Sequence, residues 1–434
     1  MVGVSIVIYI KLPKPLKKPE VYYYSTLDNN ILKRKDKYNF LYNNDLETID
    51  WVKLKPEAPY FWFVEKNFTD KKKYEKGWSL NKIFKVYSSG IQTKRDKLTI
   101  HFDKKQLNKV LFDLEKLEIN DFRKKYQLPK DGRDWTIKNA KQKSIPINNT
   151  NINTIHYRPF DFRYTYITKK IKGFVAYPRI NVMQHFINKE NIGLIFPRNW
   201  TSFNKWTGAF VTSNIVDIHL IGGQSYIAPL YIYNTNGDNN ENGNGFLFKD
   251  AEKKDNFTKG FREFLEKQKL QNYSPEEIHS YIYAIMFSQI YREKYFEFFK
   301  IDFPKIPFSS DEIVFKKLSK LGKRLIENHL LKIVYKRNET PIFAVEGENK
   351  LETILFNEQK NRLYINKTQY FNNFLKNIWE FEIGGYQVFD KYLKARKGLV
   401  LSYEEINHIK KIAGSINNTI KIQKIIDNLC KKWI

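Results

Sequence analysis

The sequence predicts a mixed α/β protein of the α+β class, with β-rich regions, a helical connector and a helical C-terminal section. Short β-branched or aromatic runs, separated by Pro, Asn and Asp, dominate residues 1–88 and 152–233. Apolar residues at the three-and-four spacing of a helix dominate residues 104–126 and the region after residue 273. A chain of 434 residues with 42% apolar content can form two or three domains with sizeable cores.

The first 88 residues are expected to be rich in strands. The runs "VSIVIYIK", "EVYYYST" and "PYFWFVEKN" have the β-branched and aromatic composition of strands. The first run is apolar for only about ten residues and has no basic start, which argues against a membrane span or a signal peptide. We therefore interpret it as a strand at the end of a larger sheet, and expect no membrane partner.

Residues 89–150 predict a helical connector. Leu107, Val110, Leu111, Leu114 and Leu117 fall on one face of a helix, and a basic segment, "PKDGRDWTIKNAKQK", follows them. Strand signals return from residue 151 and are interrupted by the polar, glycine-rich stretch 234–247. Such a stretch cannot bury enough apolar surface to fold, so it predicts an exposed loop.

The helical section after residue 273 has a clear start. Ser274 and Glu277 form a capping-box pattern, and Pro275 suits the first turn of a helix. A second helix is predicted to run towards His329 after an extended "IDFPKIPF". The last part of the chain predicts a strand, a turn at Gly384 and Gly385, and a helix rich in Lys and Arg over residues 391–434.

The charge balance predicts a polyanionic partner. Lys and Arg number 75 against 47 Asp and Glu, so the formal net charge is +28, and nucleic acid is the commonest large polyanion. Part of the lysine surplus has an alternative source in the codon usage of an AT-rich genome, which the abundant Asn, Ile and Tyr also fit. The single cysteine, Cys430, excludes an internal disulfide or a multi-cysteine zinc site and favours a reducing cytoplasm.

Several catalytic motifs are absent from the sequence. It contains no Asn/Asp/Ser-Pro-Pro-aromatic tetrapeptide of an amino-methyltransferase, no phosphate-cradling Gly-x-x-x-x-Gly-Lys-Ser/Thr loop, and no Pro-Asp pair of a metal-dependent nuclease. Asp217 and His219 would share one strand face as two metal ligands, but the spacing supplies no third ligand. We therefore predict no catalytic residue, no metal site and no enzymatic activity of the chain on its own.

The segment "IHYRPFDFRYTYI", residues 155–167, combines five aromatic rings with three charges. In a strand, Asp161 and Arg163 face the same way, so we expect a bidentate ion pair between them. The aromatic rings that should flank this pair are those of Tyr157, Phe160 and Tyr164. An unpaired charge in so aromatic a segment would be costly. We favour this structural role over direct DNA contact for the motif as a whole, whose members are Tyr157, Arg158, Asp161 and Arg163.

That segment, with "GFVAYPRINVMQHF", "NIGLIFPRNW", "SPEEIHSYIYAIMFSQIYREKYFEFF" and "WEFEIGGYQVFDKYLKARKG", resembles the C-terminal specificity region of type ISP restriction-modification enzymes and their type IIG relatives. These enzymes also carry an adenine-specific DNA methyltransferase. The blocks cover the chain from about Ser89 onwards. Upstream, "GVSIVIYIKLPK" resembles the segment that follows the methyltransferase domain.

The resemblance implies a division of the chain and a role for it. Residues 1–88 would be the end of a methyltransferase domain, 89–150 the connector, 151–390 a DNA target-recognition domain, and 391–434 a basic helical C-terminus. The implied function is sequence-specific recognition of double-stranded DNA. S-adenosylmethionine and Mg²⁺ would serve only catalytic parts outside this chain, supplied by a methyltransferase or nuclease chain in trans.

Other interpretations stay open from the sequence. The chain is also consistent with one part of a split methyltransferase or endonuclease, with a non-functional fragment, and with an interaction protein for which the duplex is irrelevant.

Ten residues are candidates for DNA contact. Lys and Arg bind phosphates, whereas Arg, Asn, Gln and Lys at turns reach base edges. The phosphate candidates are Lys94, Arg95, Lys169, Lys170, Lys172 and Lys394. The base candidates are Arg179, Arg198, Asn199 and Asn204. For each residue, the alternative is an ordinary solvated basic surface.

Overall fold

The computed structural model describes residues 5–14, 18–58, 61–200, 205–233 and 253–434. The predicted loop 234–247 and Asn204 lie outside these ranges. The chain divides into two compact units, Met1–Thr69 and Asp70–Ile434. The predicted boundaries after residues 88, 150 and 390 stay predictions.

The first unit contains one small sheet. Strand β1 (Val21–Tyr23) pairs antiparallel with β2 (Val52–Leu54), and helix α1 (Arg34–Asn43) lies between them in sequence. The strands predicted in "VSIVIYIK" and "PYFWFVEKN" are wrong for residues 5–14 and 61–67, which form none. A strand requires a paired neighbour for its backbone groups, and the apolar side chains of Ile6 and Ile10 remain exposed.

The second unit, which holds every element named from here on, is a mixed α+β fold, as predicted. Its helices are α2 (Lys71–Tyr74), α3 (Leu80–Ile83), α4 (Asp96–Thr99), α5 (Lys104–Lys116), α6 (Ile119–Lys125), α7 (Ile137–Ser144), α8 (Ile180–Met183), α9 (Lys259–Lys267), α10 (Pro275–Phe287), α11 (Gln289–Lys294), α12 (Phe296–Phe299), α13 (Glu312–His329), α14 (Lys376–Trp379), α15 (Val388–Lys394) and α16 (Tyr403–Cys430).

Short strands make up the rest of its regular structure. They are β3 (Trp78–Ser79), β4 (Ser88–Ser89), β5 (Ile152–Arg158), β6 (Asp161–Tyr166), β7 (Gly193–Pro197), β8 (Phe210–Thr212), β9 (Ile215–Val216), β10 (Ser225–Pro229), β11 (Tyr231–Tyr233), β12 (Lys253–Asp255), β13 (Lys305–Ile306), β14 (Ile342–Phe343), β15 (Leu355–Asn357), β16 (Arg362–Tyr364), β17 (Tyr370–Asn372), β18 (Glu382–Ile383) and β19 (Tyr386–Gln387).

Two sheets form the β-rich centre. One has the order β4-β10-β7-β8 and is antiparallel throughout, with Ser225 opposite Pro197. The other has the order β6-β5-β9, in which β5 and β6 form an antiparallel hairpin and β9 runs parallel to β5. The predicted return of strands after residue 151 is therefore confirmed. A third sheet, β14-β17-β16-β15, lies later in the chain.

Helices α10, α13 and α16 pack against one another. The capping box at the start of α10 is present as predicted, with Ser274 and Glu277 each bonded to the other's backbone. Gly322 allows the close approach of α13, because a Cβ at that position would lie 1.8 Å from the carbonyl oxygen of Ser280. No helix within the described ranges has the length and apolar character that a bilayer span requires.

The glycine turn predicted late in the chain is also present. Gly384 joins β18 to β19 at a φ of 63°, and a Cβ there would lie 1.9 Å from the carbonyl oxygen of Ile221. Backbone hydrogen bonds from Gly384 to Thr207 and from Gly385 to Ile221 hold this turn against the β-rich centre. The turn therefore attaches α15, which follows it, to the central sheets.

Candidate nucleic-acid interface

The Asp161–Arg163 pair predicted from the sequence is present in the β5–β6 hairpin. Arg163 donates from Nε (3.1 Å) and Nη2 (2.7 Å) to the same carboxylate oxygen of Asp161. The other oxygen accepts from Nη2 of Arg396 at 2.9 Å. Burial alone would raise the pKa of Asp161, but the Arg396 and Arg163 guanidinium groups outweigh it and lower that pKa. The carboxylate is therefore held ionised between two arginines.

The aromatic walls of this pair differ in part from the prediction. The Arg163 guanidinium lies between the rings of Tyr157 (4.2 Å) and Phe102 (4.1 Å). Phe160 instead packs on Phe210, and Tyr164 faces a lysine, Lys104. Phe102 precedes α5 and comes from outside the hairpin, so local strand geometry could not identify it.

A second buried pair accounts for Arg158. Its Nη1 donates to Oδ1 of Asp217 at 2.6 Å, and its guanidinium stacks 3.8 Å from the Tyr157 ring. The imidazole of His219 is bonded to the carbonyl oxygen of Gly223 at 2.7 Å. Asp217 and His219 thus have protein partners, and the described residues contain no group of three His, Cys, Asp or Glu side chains arranged for a metal ion. We call Arg158, Asp161, Arg163, Asp217 and Arg396 the buried arginine network.

A different, exposed set of charges is assembled from three separated chain segments. Residues Gln92 and Tyr177 exchange two backbone hydrogen bonds, which brings the segment before α4 beside the segment before α8. Trp135 is buried, and its indole Nε1 donates to the carbonyl oxygen of Phe174 at 3.0 Å. This hydrogen bond holds the basic connector against the segment before α8.

Asp134 is the centre of this exposed set. Its carboxylate accepts from Nε (3.0 Å) and Nη2 (3.3 Å) of Arg133 and from the Tyr177 hydroxyl (3.0 Å). The Lys94 ammonium lies 3.6 Å from Oδ2. Hydrogen bonds from Arg133 and then from Tyr177 lower the pKa of Asp134 to about 2. One carboxylate therefore holds two cations at the surface, and the Arg133 side chain is 88% exposed.

Further cations surround this carboxylate. The Lys172 ammonium donates to the carbonyl oxygen of Arg133 at 3.2 Å. Arg95 donates to the carbonyl oxygen of Lys130 at 3.2 Å and stacks 5.2 Å from the Trp135 ring. The Arg179 guanidinium lies 5.2 Å from the Tyr177 ring. We call the set around Asp134 the Asp134 surface, with the members Lys94, Arg95, Arg133, Lys172, Tyr177 and Arg179.

Three cations of this surface have an unusual backbone conformation. Lys94, Lys172 and Arg179 have φ angles of 62°, 56° and 53°, in the left-handed region. That region costs a residue with a Cβ roughly 1–2 kcal/mol, and such residues concentrate at binding sites. Arg95 and Arg179 also each have a buried Nε without a hydrogen-bond partner among the described residues.

The structure brings together some of the sequence candidates and separates others. Lys94, Arg95, Lys172 and Arg179 belong to the Asp134 surface, and Lys169 and Lys170 are exposed in the loop that contains Lys172. Arg198 instead pairs with Asp302 at the end of β7, where Asn199 is also exposed. Lys394 pairs with Asp390 on α15. Asn204 lies outside the described residues.

The sequence candidates omitted Arg133, Asp134 and Tyr177. The signal that points to the first two is the turn-forming Asp-Gly-Arg-Asp run in the basic segment of the predicted connector. Their meeting with Lys94 depends on the backbone pairing of Gln92 with Tyr177, across 85 residues of sequence. No local pattern contains that contact.

Three solved structures have a similar fold. The DrdV–DNA complex is 18% identical with a TM-score of 0.69, and the match covers 90% of this chain and 42% of that chain. A nuclease-deletion mutant of the type ISP restriction-modification enzyme LlaGI with a DNA substrate mimic is 17% identical with a TM-score of 0.68, and the match covers 94% of this chain and 39% of that chain. The ATP-dependent type ISP restriction-modification enzyme LlaBIII bound to DNA is 19% identical with a TM-score of 0.65, and the match covers 86% of this chain and 25% of that chain. This chain thus spans less than half the length of each, and at these identities the likeness shows the fold alone.

The sequence comparisons identify the family. No curated protein matches the chain. Residues 82–424, most of the second unit, match the family described as the type ISP C-terminal specificity domain. That range contains both the buried arginine network and the Asp134 surface. The chain therefore belongs to the type ISP C-terminal specificity domain family.

Proposed function

We propose that this chain recognises a DNA target sequence for a restriction-modification system and that the Asp134 surface holds the duplex. The family is defined by specificity, and the three similar structures were solved with DNA or a DNA mimic. The observation that carries the proposal is the convergence of four cations on one surface, where Lys94 and Arg133 are exposed and Lys172 and Arg179 are partly exposed.

Electrostatics supports a phosphate partner for this surface. A net charge of +28 draws the chain towards a polyanion, and Lys and Arg contacts to phosphates give affinity without sequence information. The left-handed conformation of Lys94 and Lys172 is unfavourable in the free chain, and this supports a function that uses those positions. Arg179, stacked on Tyr177, has the planar fork that binds guanine O6 and N7.

The test is duplex binding over a range of salt concentrations. We expect the triple variant Lys94→Gln, Arg133→Gln, Lys172→Gln to bind weakly, with a slope of log K against log salt reduced by up to about 0.9 per lost phosphate contact, roughly two to three units in all. The matched control changes the same number of charges at exposed lysines on α13, Lys316→Gln, Lys317→Gln and Lys320→Gln. Equal slopes for the two variants would contradict the assignment of this surface.

Selection from a random duplex library tests the specificity half of the proposal. An enriched short sequence identifies the target, and Arg179→Gln should relax the preference at one position of it. Uniform retention of all sequences by the wild-type chain would contradict target recognition while leaving non-specific DNA binding intact.

We further propose that the chain supplies recognition to a methyltransferase or nuclease that lies outside these 434 residues, and that it binds DNA without a cofactor of its own. This chain spans less than half the length of each of the three similar structures, which favours a catalytic part outside it. Incubated with labelled S-adenosylmethionine and its target duplex, the chain alone should transfer no methyl group. Transfer by the purified chain would overturn this part of the proposal.

A further inference from the structure

The arrangement around Asp134 resembles an occupied anion site. Three donors from separate segments, the Lys94 ammonium, the Arg133 guanidinium and the Tyr177 hydroxyl, converge on the two oxygens of one carboxylate. A phosphodiester group also presents two anionic oxygens, and ammonium, guanidinium and hydroxyl groups are its usual protein ligands. The carboxylate thus stands where the donors would otherwise hold a phosphate oxygen.

We propose that Asp134 is an internal competitor of DNA phosphate: its carboxylate occupies an anion site built from Lys94, Arg133 and Tyr177, which a DNA phosphodiester group takes over when the duplex binds. This inference rests on the proposed function and deepens it, because it names the ligand chemistry and the control of affinity at the same surface.

The geometry gives this exchange a physical consequence. DNA releases its condensed counterions when protein cations neutralise its phosphates. A cation that also lies beside a carboxylate neutralises a phosphate less fully than a free cation does, so fewer counterions are released. A carboxylate left beside a bound phosphate also repels it. Asp134 therefore lowers the affinity for DNA of any sequence, and binding is retained only where further contacts add to those of the phosphates.

The neighbouring Asp131 offers a matched control in the same loop. Its carboxylate pairs with the Arg123 guanidinium at 2.8 Å, so its neutralisation also removes one negative charge and releases one arginine. Arg123 lies on α6 and is not a member of the Asp134 surface. The two substitutions Asp134→Asn and Asp131→Asn thus have the same change in net charge and differ in which cations they release.

The experiment measures the binding of the full chain to a random-sequence duplex over a range of salt concentrations. For Asp134→Asn we expect roughly three- to tenfold tighter binding at moderate salt and a slope of log K against log salt steeper by up to about one unit. Asp131→Asn should stay within about twofold of wild type and keep the wild-type slope. Circular dichroism establishes that both variants are folded, and Asp134→Ser repeats the test with a different side chain.

Each result decides one question. Tighter binding by Asp134→Asn alone supports the competitor. An equal gain for Asp131→Asn would overturn it, since net charge would then explain the effect. Weaker binding by both Asp134→Asn and Asp134→Ser would also overturn it, because the carboxylate would then assist the contact. A wild-type chain that binds no duplex at any salt concentration would instead refute the proposed function itself.

Discussion

The buried arginine network and the Asp134 surface contain the same types of side chain, but the first set is buried and the second is at least partly exposed to solvent. In the network, Asp161 and Arg396 are 1% and 5% exposed, and both oxygens of the carboxylate are bound by arginines. On the surface, Arg133 is 88% exposed and Asp134 retains contact with solvent. Arginine, aspartate and aromatic rings therefore do not define a role by themselves. Burial makes the first group a structural connection, whereas exposure leaves the second able to exchange its partner.

The largest difference between the regions is expected in stability. Asp161→Asn leaves Arg163 and Arg396 buried without a full counter-charge, and the loss of one partner of a buried ion pair costs about 3–5 kcal/mol. Urea unfolding followed by circular dichroism measures this change. Asp134→Asn, at the surface, is the control and should lower the unfolding midpoint much less. A loss below about 1 kcal/mol for Asp161→Asn would mean that the network does not stabilise the fold.

The next difference is expected in the response to pH. Burial lowers the pKa of His156 and His329 to about 3 and that of His279 to about 4. The folded chain therefore keeps these rings neutral, while the unfolded chain takes up protons below about pH 6.5. Stability is complete above that pH and is lost as the pH falls from 6.5 towards the folded values.

Urea midpoints at pH 7.5 and 5.5 measure this effect. We expect the free energy of unfolding to fall by roughly 1 kcal/mol for each of the three histidines. The carboxylate of Asp134 should not titrate in this range, because its pKa is lowered to about 2. DNA affinity of the still-folded chain should therefore stay constant. A midpoint independent of pH would contradict the buried, neutral state of the histidines.

The smallest effect, on the affinity for DNA, is expected from a substitution of Arg95 on the Asp134 surface. Arg95→Lys keeps the charge but loses the planar stack on Trp135 and the directed hydrogen bond to Lys130. We expect the dissociation constant for duplex DNA to rise about two- to threefold with an unchanged salt slope. A reduced slope would show that the charge, and not its orientation, had been lost from the contact.

Local patterns predicted the elements that depend on neighbouring residues. The capping box at Ser274 and the Asp161–Arg163 pair both join residues two or three positions apart, so helix and strand geometry were sufficient to find them. Phe102 and Arg396, which complete the ion pair, come from distant segments and were not found. The strand predicted at the N-terminal end failed because composition does not supply a pairing partner.

The same limit applies to the candidate site. The sequence identifies four of the cations in the Asp134 surface individually, Lys94, Arg95 and Lys172 as phosphate candidates and Arg179 as a base candidate at a turn. Their common centre was missed, because Asp134 was part of a segment interpreted as a connector and carries the opposite charge. A search for DNA-binding residues that selects positive or amide side chains never selects a carboxylate. An aspartate at the centre of a basic surface, such as Asp134, is therefore found only from the fold.

The contact between Asp161 and Arg396 has a consequence for synthesis of the chain on the ribosome. The hairpin of β5 and β6 emerges early, but the second counter-ion of its buried aspartate is translated 235 residues later. Until then one oxygen of that carboxylate lacks its protein partner. The buried arginine network is thus completed only after Arg396 has left the exit tunnel, and a nascent chain that stalls before that point should be more sensitive to protease than the finished chain.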